Sequence, residues 1–322
     1  MKKFNEIFID KTKYGEKIQT SEYEKQGKHI IVDQGQAEIA GYTNREEGLF
    51  NEVPVIIFGD HTRLIKYIDE PFFLGADGVK VLRSKEKNAN YKYLYYALKS
   101  AKIPNTGYNR HFKWLKDVEI NYPDSVKQEK IVDILDRVSD VIEKRKAELS
   151  YLDTLIKARF VEMFGDPIRN TQNRPTTEFI NVVKMQRGFD LPVQDRQQDG
   201  EIPVYGSNGA LDYHNVAKIH GGVITGRSGT IGKVFYTEGD FWPLNTSLFS
   251  ADTHGNNVIY LLQLFDLTRF VEGTGVQTLN RNMFHNKQII DVPIDEQRVF
   301  AAFVNEIDKS KSAVKKALDE TQ

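Results

Sequence analysis

The chain has 322 residues, room for two domains of ordinary size, and 44 Lys plus Arg stand against 45 Asp plus Glu for a net charge of −1. Hydrophobic residues make up 40% and charged residues 28%, a globular composition that excludes a disordered chain. The absence of cysteine excludes disulfide scaffolds, Cys-ligated zinc, iron–sulfur clusters and thiol catalysis, and the neutral balance excludes a uniformly basic nucleic-acid protein, although residues 1–123 alone carry +3.

Residues 53–58 form the longest apolar run, far short of the ~20 that span a membrane. The opening MKKFNEIFID has no apolar core of a secretory signal. A cytoplasmic protein without a membrane partner is therefore expected.

In chain order, the first stretch is rich in Gly, β-branched and aromatic residues punctuated by turn signals, which predicts strands at 54–58 and 78–82. A helix over 91–99 follows, then a short strand ending at Pro123. From there Ile131, Leu135, Val138, Ile142, Arg145, Leu149, Leu152, Ile156, Arg159 and Met163 step by four and three throughout. This is a heptad seam interrupted by two arginines. Asp124 or Ser125 as cap and Glu129 in the first turn suit its start, and Gly165-Asp-Pro167 suits its stop. About 40 residues at 1.5 Å each make a rod of roughly 60 Å. The order then recurs: strands at 222–225 and 233–237, a helix at 258–270, a strand ending at Pro293, and a second seam of Phe300, Val304, Ile307, Lys311, Val314 and Leu318.

The recurrence is a duplication at an offset of about 170 residues, too long for a solenoid. Ile30-Ile-Val-Asp-Gln resembles Ile202-Pro-Val-Tyr-Gly, Val55-Ile-Ile-Phe-Gly59 resembles Val223-Ile-Thr-Gly226, and Pro71-Phe-Phe73 falls near Asp240-Phe-Trp242. Thr106-Gly107 and Asn109-Arg110 resemble Thr274-Gly275 and Asn280-Arg281. Gln128-Glu-Lys-Ile131 matches Gln297-Arg-Val-Phe300. Two helices related by such a repeat can pack antiparallel within one chain and hold two similar heads about a pseudo-twofold axis. A homodimeric coiled coil is the other arrangement that would cover the seam. Arg145 and Arg159 read as register-fixing breaks or as docking points for a partner.

No phosphate loop is present. Gly226-Arg-Ser-Gly-Thr-Ile-Gly232 looks like one, but a β-like run follows it, so it reads as a turn between strands. There is no His-Glu-x-x-His, and the seven histidines are scattered. Nothing resembles an active site, so no catalytic residue and no metal site is assigned.

The proline-ended strand, then Gln128-Glu-Lys-Ile-Val-Asp-Ile-Leu-Asp136, then a long helix ending Leu155-Ile-Lys-Ala-Arg-Phe-Val-Glu-Met-Phe-Gly-Asp-Pro167, resembles the specificity (S) subunits of type I restriction–modification systems. Val292-Pro-Ile-Asp-Glu-Gln297 repeats the signature. The resemblance covers the whole chain and departs in the abbreviated second helix. It implies an α+β fold with target-recognition domains at 1–123 and 166–293, joined by an antiparallel pair of long helices at 124–165 and 294–322. It implies a non-catalytic DNA-binding subunit, each domain reading one half of an interrupted site while the helices set the gap. It implies double-stranded DNA, two methyltransferase subunits and restriction subunits as partners. No cofactor is expected in this chain; AdoMet, ATP and Mg²⁺ belong to the partners. A coiled-coil adaptor whose heads bind proteins, an enzyme with an unrecognised site, and the specificity subunit of a related type II system are the competing readings.

Base edges need side chains such as Arg for guanine and Asn or Gln for adenine. Elements common to both heads cannot discriminate if the heads read different sequences. Asn109, Arg110, Asn280 and Arg281 are therefore assigned to phosphate contact or loop structure, beside the unlike neighbours His111 and Lys113 in one copy and Gln277, Thr278 and Asn282 in the other. Candidate readers in unlike polar loops are Gln34, Gln36, Arg45, His61 and Arg63, and then Ser207, Asn208, His214, Arg227, Ser228 and Asn245. Arg63, Lys113 and Arg227 also suit phosphates.

Overall fold

All five residues of strand Val55–Gly59 are buried, which suits a central strand covered on both faces. The computed structural model describes residues 1–75, 77–107, 109–197, 199–264, 271–272 and 278–321. Val55–Gly59 pairs antiparallel with Ile65–Ile68 and Val79–Ser84, and Phe8–Asp10 lies beyond the latter. A second sheet pairs His29–Val32 antiparallel with Gly41–Thr43 and parallel with Phe72–Leu74. Helix Tyr91–Lys99 is capped by Asn90, whose side chain accepts from the Tyr93 N–H at 3.0 Å. Its Tyr93, Leu94 and Leu98 share a core with Phe4, Ile56, Phe58, Phe112 and Leu115.

The later part of the chain repeats this plan. Its six-stranded sheet runs Lys184–Arg187, Ser247–Asp252, Ile219–Gly226, Val234–Pro243, Ile202–Gly206, Gly209–His214. Val204 pairs parallel with Trp242 as Ile30 does with Phe72, so the duplication holds in the ladders as well as in the letters. The difference lies at Pro71. Strand Ile65–Ile68 ends and Phe72–Leu74 begins around a residue with no N–H to give. In the second copy the 10-residue strand Val234–Pro243 runs through, and the two sheets become one.

Asp124 caps the central helix Ser125–Phe164, its Oδ1 accepting from the Lys127 N–H at 2.9 Å. Glu129 falls just past the first turn, which holds no acidic side chain; the Asp124 carboxylate supplies the negative charge there. Gly165, at φ +73°, ends the helix in the left-handed region. All ten seam positions are buried or half-buried, while Ile134, Tyr151 and Val161 on other faces are exposed.

The chain divides into two compact units inside this helix, Met1–Val141 and Ile142–Gln322. Val132 belongs to the first core, and Ile156, Phe160 and Phe164 to the second. Within the second unit the C-terminal helix Ile294–Asp319 runs antiparallel to the end of the central helix. Phe160 meets Phe300 with ring centroids 5.5 Å apart, Lys311 Nζ reaches Asp153 at 2.7 Å, and Arg145 donates to Ala317 O and Thr321 Oγ1. This pairing covers the seam over Arg145–Met163 without a second copy. The helix expected over 258–270 is described as Val258–Leu264, and residues 265–270 lie outside the described residues.

Candidate nucleic-acid interface

In each unit the turn after the central strand is tied to the loop carrying the Asn-Arg pair. Asp60 O accepts from the His111 N–H at 2.8 Å, and Arg227 O accepts from the Leu279 N–H at 2.7 Å. The duplication therefore brings the same two segments together twice, and some of the unlike polar residues, Gln34, His61 and Arg63 in one copy and Ser207, Arg227, Ser228, Asn245 and Thr278 in the other, sit on or beside this junction.

In the first unit the junction holds Gln34, His61 and Arg63 together. Gln34 Oε1 accepts from the His61 N–H at 3.1 Å, its Nε2 donates to Asp77 O at 2.9 Å, and its carbonyl accepts from the Thr62 hydroxyl at 2.7 Å. With one bond made at each end of its amide, Gln34 braces the loop. Arg63 sits at φ +61° and donates to Ile103 O at 3.2 Å, which ties the turn to the segment leading into the Asn-Arg loop. Gln36 is exposed on the same loop as Gln34. Lys66 holds that loop from beneath. Its ammonium, pulled down in pKa by burial, donates to Asp33 O at 2.8 Å and Ala37 O at 2.5 Å.

His111 is a correction. It is fully buried, its Nδ1 lies 3.0 Å from Asp60 O and its Nε2 accepts from the Thr106 N–H at 3.4 Å, so the ring organises the loop and cannot reach a base edge. Asn109 turns back onto Thr106 O, leaving Arg110 and Lys113 as the exposed cations of this loop. Arg110 lies near Asp77, whose carboxyl is held below its usual range chiefly by Lys17 and more weakly by Arg110. Lys113 lies over the Trp114 ring at 4.7 Å. Arg45 stands apart, paired with Glu16 at 3.1 Å.

In the second unit Ser207, Arg227, Ser228, Asn245 and Thr278 converge. Residues 226–232 form the turn joining Ile219–Gly226 to Val234–Pro243, as a strand-to-strand turn requires. Ser228 bridges Thr278, the Arg227 and Ser228 N–H groups both donate to Thr246 O, and Arg227 Nη1 approaches Asn245 O at 3.5 Å. Ser207 faces Gly229, where an added Cβ would meet its hydroxyl at 3.4 Å. The Asn245 side chain is turned onto Asp190, and Asn208 accepts from Lys233 Nζ at 2.7 Å. His214 lies elsewhere, edge-on to Trp242 at 5.2 Å. Asn280 caps a short turn by accepting from the Asn282 N–H at 3.1 Å; Arg281 is half-buried and Asn282 exposed. Gln277 lies outside the described residues.

Three contributors were not singled out from sequence: Asp60, Lys66 and Lys233. The signal for Asp60 was its place directly after Gly59, matched by Arg227 after Gly226. Lys66 was legible as an inward-facing charge in the alternation of Ile65–Ile68.

A family model described as the type I restriction modification DNA specificity domain matches residues 1–151 and again 170–321, and the chain belongs to that family. The specificity subunit of the type I restriction enzyme EcoR124I/EcoR124II of Escherichia coli is 29% identical over 133 residues, 37% of this chain and 33% of that relative. The match thus spans about a third of the relative's length. The crystal structure of a type I restriction–modification S subunit from M. genitalium superposes with a TM-score of 0.58 at 17% identity, covering 99% of this chain and 92% of that one. A chain from a structure describing complex assembly and conformational transition of a type I system gives 0.55 at 14% identity, covering 91% and 87%. At these identities the likeness is one of fold. Among the described residues no helix is long and apolar enough to cross a membrane.

Proposed function

We propose that the chain is the DNA sequence-reading subunit of a type I restriction–modification complex and has no catalysis of its own. Each unit reads one half of an interrupted site in double-stranded DNA, the long helices set the gap, and methyltransferase subunits, two in the full assembly, dock beside them. Restriction subunits join for cleavage, and AdoMet, ATP and Mg²⁺ are used by those partners. One observation carries this reading: the same turn-to-loop junction is built twice, at Asp60–His111 and Arg227–Leu279, with different polar side chains around it. A shared scaffold with unlike loops suits two half-sites of unlike sequence. Proposed recognition domains at 1–123 and 166–293, with helical segments between and after them, follow from the same repeat.

The test is methylome sequencing of cells expressing the chain with its neighbouring methyltransferase gene, against cells lacking the chain. An interrupted, asymmetric motif present only with the chain supports the reading, and exchanging residues 1–123 then changes one half alone. No chain-dependent motif, with a folded and expressed methyltransferase, overturns it in favour of the protein-binding adaptor.

A further inference from the structure

Pro71 parts the strands of the first unit into two sheets, and a side chain spans the break. Lys66 lies on Ile65–Ile68, the outer strand of one sheet, and is 7% exposed. Its ammonium donates to Asp33 O at 2.8 Å and Ala37 O at 2.5 Å and stands 3.7 Å from Asp33 Oδ1. Both carbonyls belong to loop 33–40, which joins His29–Val32 to Gly41–Thr43 in the other sheet. Gln36 lies between them in the chain and is exposed. Gly35, just before it, donates its N–H to Asp33 Oδ1 at 2.7 Å.

The second copy solves the same position differently. Lys66 stands opposite Ile57, two residues before Gly59, and Phe235 stands opposite Ile224, two residues before Gly226. Beneath Phe235 the hairpin is tight: Gly206 pairs with Gly209, and Ser207 and Asn208 alone make the turn. The Phe235 ring packs on Tyr205 at 6.3 Å, and an added Cβ on Gly209 would meet it at 3.1 Å. A two-residue turn closes its own ladder. A loop of 33–40 has more backbone groups than its ladder can pair, and buried ones need partners. An ammonium offers three donors and no acceptor, so it meets several carbonyls at once where a phenyl ring meets none. Burying the cation is costly unless those bonds are made, so loop and lysine hold each other in one arrangement.

We propose that Lys66 is a positioning residue for base reading by the first unit. It fixes Gln36, with Gln34 beside it, against the bases, and so sets discrimination in one half-site while staying buried away from the DNA itself. This inference rests on the DNA reading proposed above and assigns the fidelity of one half to a side chain that the second unit replaces with Phe235.

The experiment has two arms. The chain has no cysteine, so Gln36→Cys carries a nitroxide at one place only. Its spectrum in the full chain is expected to be that of a restrained loop, to sharpen to a mobile one with Lys66→Met, and to stay restrained with Lys66→Arg. A line shape that Lys66→Met leaves unchanged overturns the positioning role whether or not the chain reads DNA. Where Lys66→Met fails to fold, Lys66→Gln, neutral and one atom shorter, makes the same comparison. The second arm uses the complex assembled with the methyltransferase, and duplexes of the interrupted site it methylates with single base pairs altered in either half. Lys66→Met is expected to lower discrimination about tenfold in one half, within what a single base contact supplies, to leave the other half unchanged, and to be rescued by Lys66→Arg. A loss spread evenly over all duplexes, or discrimination that stays intact, overturns the specificity role. A native complex that methylates no interrupted site overturns the DNA reading and this role with it, while the nitroxide still reports whether Lys66 holds the loop.

Discussion

The Arg145 guanidinium donates to the Thr321 hydroxyl and to the carbonyl of Ala317, closing the C-terminal end of one helix with a side chain from the seam of another. The last carbonyls of a helix lack intrahelical donors and carry partial negative charge, so a fixed cation there is favourable on both counts. Lys311 makes the converse contact, reaching Asp153 from its own seam position, and this pairing together with Asp308 raises its pKa. A slip of one heptad would separate both seam cations from these partners. Arg145→Met is expected to weaken the helix end by about 1–2 kcal/mol. Amide exchange over residues 315–321 should then accelerate by about 5- to 30-fold while that of Val55–Gly59 is unchanged.

Gln128 and Gln297 open the two long helices in the same way but carry unequal loads. Gln297, 1% exposed, accepts from the Asn257 N–H at 2.8 Å and donates to Asn256 Oδ1 at 2.6 Å and Val292 O at 2.7 Å. It thereby joins the start of its helix to the cap of Val258–Leu264. Gln128 donates to Pro123 O at 2.9 Å and lies against the hydroxyl of Tyr122, whose pKa burial and Glu86 push up to about 12. Each buried group left unpaired costs about 1–3 kcal/mol. Urea unfolding should therefore show Gln297→Leu as the more destabilising change, by about 1–3 kcal/mol over Gln128→Leu. Equal costs would mean that the Asn256–Asn257 contacts add nothing.

How much of this was legible in the sequence differs by element. The seam from Ile131 to Met163 was readable position by position, because a helix returns the same face every three or four residues and local spacing decides burial. The strands ending at Gly59 and Gly226 were readable as repeats, but the turns that follow them were not paired. The direction of polar loop side chains was not readable. Gln34, His111 and Asn245 have the residue types that read bases, yet Asp77 O, Asp60 O and Asp190 meet them from segments distant in the chain, and His111 is buried outright. No local pattern encodes those partners. The joining of two sheets through Val234–Pro243 was hidden for a similar reason, since it depends on what replaces Pro71.

His285 is expected to make the second unit sensitive to acid. Its Nε2 accepts from the Met185 N–H at 3.2 Å, which requires the neutral ring, and burial, then Arg281 and Lys184, holds its pKa below 6.5. The unfolded chain binds the proton first, so this contribution is complete above pH 6.5 and is lost as pH falls through the lowered folded value. Between pH 7.5 and 5.5 the stability of the second unit should fall more in the native protein than in His285→Gln, measured by urea unfolding at each pH. Parallel curves for the two would remove His285 as the source.

Arg110 and Arg227 should behave differently on DNA if the proposed reading holds. Arg110 is exposed in the element shared by both copies, so it suits a phosphate. Arg110→Ala should weaken binding of the assembled complex alike on cognate and altered sites, and lower the slope of log affinity against log salt by about 1. Arg227 sits in the unlike turn beside Ser228 and Thr278. Arg227→Ala should cost about 1–3 kcal/mol on the cognate site and relax discrimination at one position of one half-site, leaving the other half untouched. Arg45, already paired with Glu16, should matter little. Competition binding across a set of singly altered sites, at two salt concentrations, separates the three. A uniform loss for Arg227→Ala would move it to the phosphate class, and a sequence-dependent loss for Arg110→Ala would show that shared elements also read bases.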